Sequence, residues 1–185
     1  MTNARAVTAS QVIDMAMSIK GDYDTPYVDY QSWPSALILQ MFGISTKARR
    51  PYDNRYDPIL AMLGRHIGLP DVVIQSQIIA HYDKTTRQVS LPQFDELVDY
   101  STALAVVTHE VCHYVSGGML NLGLRYNAEE CVAESATAEI TWALSGVDRS
   151  EQSAKYIRGY LANCNIAEAK LYAQTIVHAV LTGAL

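Results

Sequence analysis

The sequence predicts a helix-rich α+β fold with one small twisted β-sheet. Apolar residues recur with a helical period along most of the chain, and residues typical of helix ends flank these segments. Residues 72–92 differ, because they are β-branched and partly alternating, which is typical of a β-hairpin. A chain of 185 residues is long enough for one domain with a sizeable core. We therefore predict a single domain over residues 1–185, with a helical N-terminal part at 1–70 and the hairpin and further helices at 71–185.

Three helices are predicted in the N-terminal part. They run from Thr8 or Ser10 to Lys20, from Ser32 to Gly43, and from Asp57 to Gly68. Each begins at a residue that can cap a helix N-terminus, and the last two end at glycine. Pro58 suits the first helical position of the third helix. The polar stretches at 21–31 and 44–56 between these helices are predicted to be loops.

The second part of the chain begins with the hairpin. One strand is predicted over Val72–Tyr82, followed by a turn at "DKTT" and a short second strand at "RQVSLP". The helical period returns after Phe94. The predicted helices are Asp95–Val115, stopped by Gly117 and Gly118; Asn127–Ser145, closed by Gly146; Ser150–Ala162; and Asn165–Leu181, with a possible capping box from Asn165 to Glu168.

Composition and charge exclude several classes of function. The net charge of −5 and the pI of about 5.4 argue against a nucleic-acid-binding surface, which needs clustered Lys and Arg. The basic run "TKARR" at Thr46–Arg50 is better explained as a solvated loop. No apolar run is long enough to cross a bilayer, and the N-terminus lacks a signal-peptide pattern. Three cysteines without a framework spacing fit a reducing compartment, so a cytoplasmic location is expected.

The stretch "THEVCHYVSGG" contains candidate metal-binding and catalytic residues. On a helix, His109 and His113 lie about 40° apart on one face, so both imidazoles can reach one cation. Glu110 lies about 60° beyond His113, where it flanks the metal. This H-E-x-x-H spacing serves hydrolysis because two neutral imidazoles bind Zn²⁺ and the carboxylate takes a proton from water. The alternative is coincidence, but two histidines and a glutamate in so apolar a helix need partners, and a metal supplies them.

A catalytic zinc site needs a third protein ligand, and the nearest candidates lie in "NAEECVAESATAEI". Glu130 and Glu134 share one helix face, on which Ala133 and Thr137 are small enough to let a neighbouring helix approach. Either glutamate can be the ligand, and the other would then orient a ligand histidine. Glu130 is favoured because we expect it near the helix start, where free N–H groups stabilise a carboxylate. A capping box from Asn127 to Glu130 is the structural alternative.

These segments resemble a known family. "HEVCHYVSGG", "EECVAESATAEI" and "AKYIRGYLANC" resemble the zincin-like C-terminal metallopeptidase domain of ArdC-type antirestriction proteins of plasmids and phages, over about Val72–Leu181. "ECVAESAT" is more loosely similar to the E-x-x-A segment of ImmA/IrrE-type peptidases, where the leading glutamate binds zinc. The resemblance therefore implies a zincin fold and Glu130 as a ligand. The single-stranded-DNA-binding domain of full-length ArdC-type members is not recognisable in residues 1–70.

Taken together, these patterns predict a zinc metallopeptidase acting on a protein or peptide. His109, His113 and Glu130 would hold Zn²⁺, and Glu110 would be the general base and later the proton donor to the leaving amine. Tyr156, in the family-like "AKYIRGYL", is the candidate for oxyanion stabilisation. The alternatives are a catalytically silent zincin scaffold that binds and inhibits a host defence enzyme, and a purely structural zinc site with four protein ligands.

Overall fold

The structure is a computed structural model, and it describes residues 6–20, 54–75, 78–97, 99–162 and 164–184. Within these ranges the chain forms six α-helices and one three-stranded sheet, so the fold is the helix-rich α+β fold that the sequence predicts. The helices are α1 (Ala9–Ser18), α2 (Asp57–Leu63), α3 (Tyr100–His113), α4 (Tyr126–Ser145), α5 (Ser150–Arg158) and α6 (Ile166–Thr182). The strands are β1 (Asp71–Ile74), β2 (His81–Asp83) and β3 (Gln88–Leu91). Short 3₁₀ helices cover Asn54–Tyr56 and Phe94–Glu96, and a π-helix covers Tyr114–Met119.

Helix α4 is the centre of the helical part and packs against α1, α3, α5 and α6. Its buried face includes Ala133, Ala136 and Thr137, whose small side chains let neighbouring helices approach closely. Helix α3 lies between α4 and the sheet, because it also contacts β2 and β3. The helix that carries H-E-x-x-H is therefore held on one side by the sheet and on the other by the helix that carries the candidate third ligands.

The predicted helix ends are confirmed where a side chain or a glycine forms the cap. Thr8 and Gln11 form a reciprocal capping box at the start of α1. Gly146 ends α4 in the left-handed conformation, at φ 72°, which glycine adopts without strain. The side chain of Asn165 caps α6, as the sequence predicts.

The sheet has the strand order β1-β3-β2, with β1 parallel and β2 antiparallel to β3. The hairpin of β2 and β3 is confirmed, and Asp83 stabilises its turn by accepting a hydrogen bond from the Thr85 backbone N–H. The single strand predicted over Val72–Tyr82 is wrong, because this segment forms two strands on opposite sides of β3. A β-branched run does not distinguish one long strand from two short strands that flank a third.

Three predicted boundaries of helices α2 and α3 are wrong. Helix α2 ends at Gly64 and not at Gly68, since the chain folds back and Leu69 packs where a side chain of Gly64 would lie. Asp57 is the first helical residue of α2 and not its cap. Helix α3 begins at Tyr100, five residues after the predicted start at Asp95, because Asp99 caps it.

Gly117 and Gly118 were predicted to stop the helix that carries H-E-x-x-H, and this prediction is wrong, because a π-helix continues through both residues to Met119. Helix α4 starts at Tyr126, so the capping box predicted from Asn127 is wrong. Helix α5 ends at Arg158, earlier than the predicted Ala162. The helix predicted at Ser32–Gly43, the loop predicted at 21–31 and the "TKARR" run lie outside the described residues. Of the loop predicted at 44–56, the described part is Asn54–Tyr56, which forms a 3₁₀ helix. Among the described helices, none has both the length and the apolar character to cross a membrane.

Candidate metal centre

The last two turns of α3 bring the two motif histidines together. The rings of His109 and His113 lie with centroids 4.7 Å apart and planes at 73°. Their Nε2 atoms face each other at 3.0 Å. Both rings are largely buried, with side-chain exposures of 14% and 12%. The predicted spacing therefore places two ligand nitrogens at one point between α3 and α4.

Glu130 of α4 faces this point. One carboxylate oxygen lies 3.4 Å from Nε2 of His109, and the other lies 3.4 Å from Nε2 of His113. The carboxylate does not sit at the helix start as expected, because α4 begins at Tyr126 and Glu130 is therefore in its second turn. The partners of this charge are the two imidazoles and the Tyr156 hydroxyl, and not the free N–H groups of a helix end.

Glu134 lies on the far side of the His109 ring. Its Oε2 is 2.7 Å from Nδ1 of His109, and its Oε1 accepts a hydrogen bond of 2.6 Å from Ser153 Oγ of α5. The carboxylate requires a proton on Nδ1, which leaves the lone pair of His109 Nε2 directed at Glu130 and His113. Glu130 and Glu134 thus lie near different atoms of the same ring, Glu130 near Nε2 of His109 and Glu134 near Nδ1.

The spacing of these atoms fits a bound divalent cation. His109, His113 and Glu130 form the group of described residues whose ligand atoms all lie within 4.8 Å of one another. Ligands of a tetrahedral zinc ion are roughly 3.4 Å apart, given zinc–ligand distances near 2.1 Å. The separations of 3.0, 3.4 and 3.4 Å are close to this value. Nitrogen and carboxylate oxygen are also the donors that zinc accepts.

The charges of the site depend strongly on one another. Burial on its own would lower the pKa of His109, but hydrogen bonds with Glu130 and Glu134 raise it well above its ordinary value. Burial likewise opposes a charge on His113, yet Glu129 and Glu130 raise its pKa to about 9. Two nitrogens 3.0 Å apart can share one proton but cannot both carry one. A divalent cation would take the place of that shared proton.

Glu110 lies beside the two imidazoles and is 6% exposed. Burial raises the pKa of its carboxyl, and the nearby His109 and His113 oppose that rise. Within the described part of the chain, no hydrogen bond to this carboxylate is present. A buried carboxylate without hydrogen-bond donors is a stronger base than one in water, which is the property that a general base needs.

Tyr156 of α5 also reaches the site, although sequence alone gave little reason to select it. Its hydroxyl donates a hydrogen bond of 3.0 Å to Glu130 Oε2, and its ring lies 6.1 Å from that of His109. The hydroxyl of Tyr160 donates in turn to Tyr156 at 3.2 Å. Burial and the neighbouring Glu130 raise the pKa of Tyr156, so its hydroxyl stays protonated as a donor.

The cysteines near the motif are core residues. Cys112 and Cys131 are fully buried and free. Burial raises the pKa of the Cys112 thiol to about 12, so the thiol keeps its proton in the metal-free protein. Thr137 Oγ1 of α4 lies 3.8 Å from Cys112 Sγ, which shows how closely the small residues let α3 and α4 approach.

Sequence reasoning missed Glu129. On an ideal helix Glu129 lies about 100° from Glu130, away from the face that Glu130 and Glu134 share. In the structure it is 5% exposed and faces Nδ1 of His113 at 3.6 Å. The only signal was that two adjacent glutamates open an otherwise apolar helix.

Comparisons of the chain with models of protein families, with curated proteins and with solved structures found no match. The resemblance to ArdC-type peptidases therefore stays a prediction that depends on the motifs themselves.

Proposed function

We propose that the protein is a zinc-dependent metallopeptidase that hydrolyses peptide bonds. The observation that carries the proposal is the convergence of His109 Nε2, His113 Nε2 and the Glu130 carboxylate, with a second buried carboxylate, Glu110, beside them. His109, His113 and Glu130 would hold the ion. Zn²⁺ supplies a Lewis acid that polarises a carbonyl and makes water acidic.

The side chains of the chain itself supply the proton transfers and the orientation. Glu110 would accept a proton from the attacking water and give it to the leaving amine, a contribution of about 10²–10⁴-fold in rate. Glu134 would keep Nδ1 of His109 protonated and its ring in place. The Tyr156 hydroxyl, held beside Glu130, would donate a hydrogen bond to the oxyanion that develops on the substrate carbonyl.

The number of ligands favours catalysis over a structural role. A structural zinc site is usually closed by four protein ligands, whereas a catalytic site has three and an open position. The described residues offer a group of three. The proposed substrate is a protein or peptide in the cytoplasm. It would bind in extended form along β2, which pairs on one side with β3 and is an edge strand of the described sheet.

The test compares wild type with Glu110→Gln in host lysate, by proteomic identification of new peptide termini. Glutamine preserves the shape of the side chain but cannot accept the proton, so the variant should keep zinc and generate no termini. Glu139→Gln is a matched control, because this carboxylate lies on α4 but accepts hydrogen bonds from the Ala9 backbone N–H and the Gln174 amide. Termini that appear equally with Glu110→Gln would refute the proposal. Zinc binding without any cleavage by wild type would instead support the inhibitory binding protein.

A further inference from the structure

Glu129 is a buried carboxylate beside the candidate metal ligands that the proposed chemistry does not use. A buried carboxylate is stable only when it is paired. Glu129 contacts a side chain from each of three other segments. Its partners are Lys84 Nζ at 2.6 Å, Ser116 Oγ at 3.1 Å and His113 Nδ1 at 3.6 Å. The carboxylate therefore connects the hairpin turn, the π-helix and the end of α3.

The two histidines have corresponding environments. Glu134 lies against Nδ1 of His109 at 2.7 Å, and Glu129 lies against Nδ1 of His113 at 3.6 Å. Glu130 lies between them, against both Nε2 atoms. A carboxylate hydrogen-bonded to Nδ1, as Glu134 is to His109, fixes the tautomer in which Nε2 is free to bind a metal and also orients the ring. Glu129 lies just beyond hydrogen-bond distance from Nδ1 of His113 and acts on that ring as an ion-pair partner. Helix α4 thus carries one orienting carboxylate for each ring.

The hairpin is held against this arrangement at two points. Lys84, in the turn after β2, contacts Glu129 and is the cation that neutralises it. Arg87 Nη2 donates a hydrogen bond of 2.7 Å to the carbonyl of Gly118 in the π-helix. Gly117 provides the room, because a Cβ there would lie 3.1 Å from Lys84 Cε and 3.5 Å from Glu129 Oε1. Gly117, which was expected to help stop the helix, instead leaves space for the side chain of Lys84.

We propose that Glu129 is the positioning residue for His113, and that Lys84 holds Glu129 in place and couples the hairpin to the metal centre. This inference rests on the proposed metal site. It assigns a role to the β2–β3 turn, because a displacement of Lys84 would move Glu129, and Glu129 is the partner of the His113 ring. Lys84 and Glu129 then connect strand β2, which is proposed to bind the substrate, to the ring of His113, which is proposed to bind the metal.

The test measures Zn²⁺ affinity by competition with a chromophoric chelator, and the absorption spectrum of the Co²⁺-substituted protein. Removal of such an orienting partner typically weakens metal binding about 10–100-fold, so Glu129→Ala should fall in this range. Glu129→Gln keeps an oxygen for Nδ1 and should recover part of the loss. Lys84→Met should weaken binding less than Glu129→Ala. All three should shift the Co²⁺ bands, which a purely structural defect would not do.

Glu139→Gln is the matched control, because it removes a carboxylate charge from the same helix away from the site, and it should keep the wild-type affinity and spectrum. Lys84 is more than half exposed, so Lys84→Met should fold even if Glu129→Ala does not. Wild-type affinity and an unchanged spectrum in both Lys84→Met and Glu129→Gln would overturn the inference. Zinc binding by wild type without hydrolysis would overturn the peptidase while the positioning role stands, so the two failures are distinguishable.

Discussion

Replacing Glu130 by alanine removes the two oxygens that lie 3.4 Å from the Nε2 atoms of His109 and His113. Replacing Glu134 removes the oxygen that lies 2.7 Å from His109 Nδ1, on the opposite side of the ring. The first change deletes a proposed ligand, and the second deletes the partner that orients one. Glu130 and Glu134 lie on adjacent turns of the same helix. The two variants therefore separate a direct role at the metal from an indirect role through a histidine.

The expected magnitudes differ. Loss of one of three protein ligands should leave Glu130→Ala nearly free of metal after purification. Loss of an orienting carboxylate costs about 10–100-fold in affinity, which is about 1.4–2.7 kcal/mol. Glu134→Ala should therefore keep metal with weakened affinity. Glu134→Gln should lose less, because the amide oxygen can still accept the Nδ1 proton and the Ser153 hydroxyl keeps a partner.

The assay is metal content by mass spectrometry after gel filtration, followed by chelator competition on the reloaded proteins. Circular dichroism on each variant checks that it is folded. A Glu134→Ala protein without metal beside a Glu130→Ala protein that retains it would transfer the ligand role to Glu134. Metal retained by both at wild-type affinity would mean that the third ligand lies elsewhere in the chain.

Further predictions concern the metal, the base, the π-helix and pH. Protein purified without chelator should carry about one Zn²⁺ per chain, and a chelator should lower Tm; no bound metal and an unchanged Tm would contradict the site. Glu110→Gln should keep its zinc and lose about 10²–10⁴-fold of any confirmed peptidase rate. Gly118→Ala should cost about 1–3 kcal/mol in urea unfolding, because a Cβ there would lie 2.6 Å from Tyr82 Oη, whereas Gly68→Ala meets no atom within 4 Å and should be nearly neutral. In the metal-free protein the pKa of His113 is raised to about 9, so its stabilising charge is complete below its unfolded pKa of about 6.5 and is lost as pH rises through 9. The Tm difference between zinc-loaded and chelator-treated protein should therefore widen over that pH range.

The features predictable from sequence were those that depend on local spacing. The capping residues Thr8 and Asn165 and the pair Asp57-Pro58 marked three helix starts to within a residue, because the residues that favour a helix start act within one turn. The separation of His109 and His113 by four residues placed two imidazoles on one face, because the helix period requires it. That Glu130 and Glu134 both face the histidine pair followed from their common stripe, but the preference for Glu130 as the ligand depended on a position near the helix start, where the structure does not place it.

The features that could not be predicted depend on contacts between distant segments. The parallel pairing of β1 with β3 leaves no local pattern in a run of β-branched residues. Gly117 was predicted to stop the helix, because nothing in the sequence shows that Lys84, 33 positions earlier, occupies the space beside it. Glu129 lies off the predicted stripe, and its role becomes visible only when the π-helix and the hairpin bring Ser116 and Lys84 to it.

The balance of charge around the two imidazoles gives the strongest physical reason to expect a divalent ion. Four carboxylates, those of Glu110 and the three glutamates of the α4 N-terminal half, interact electrostatically with the histidine pair. Among the described residues, Lys84 is the lysine or arginine that forms an ion pair with one of them. One proton shared between the imidazoles cannot balance the remaining negative charge, whereas an ion of charge +2 in its place reduces the excess. A set of glutamates brought together by chance would instead be turned toward solvent, because burying unpaired carboxylates next to one another is destabilising.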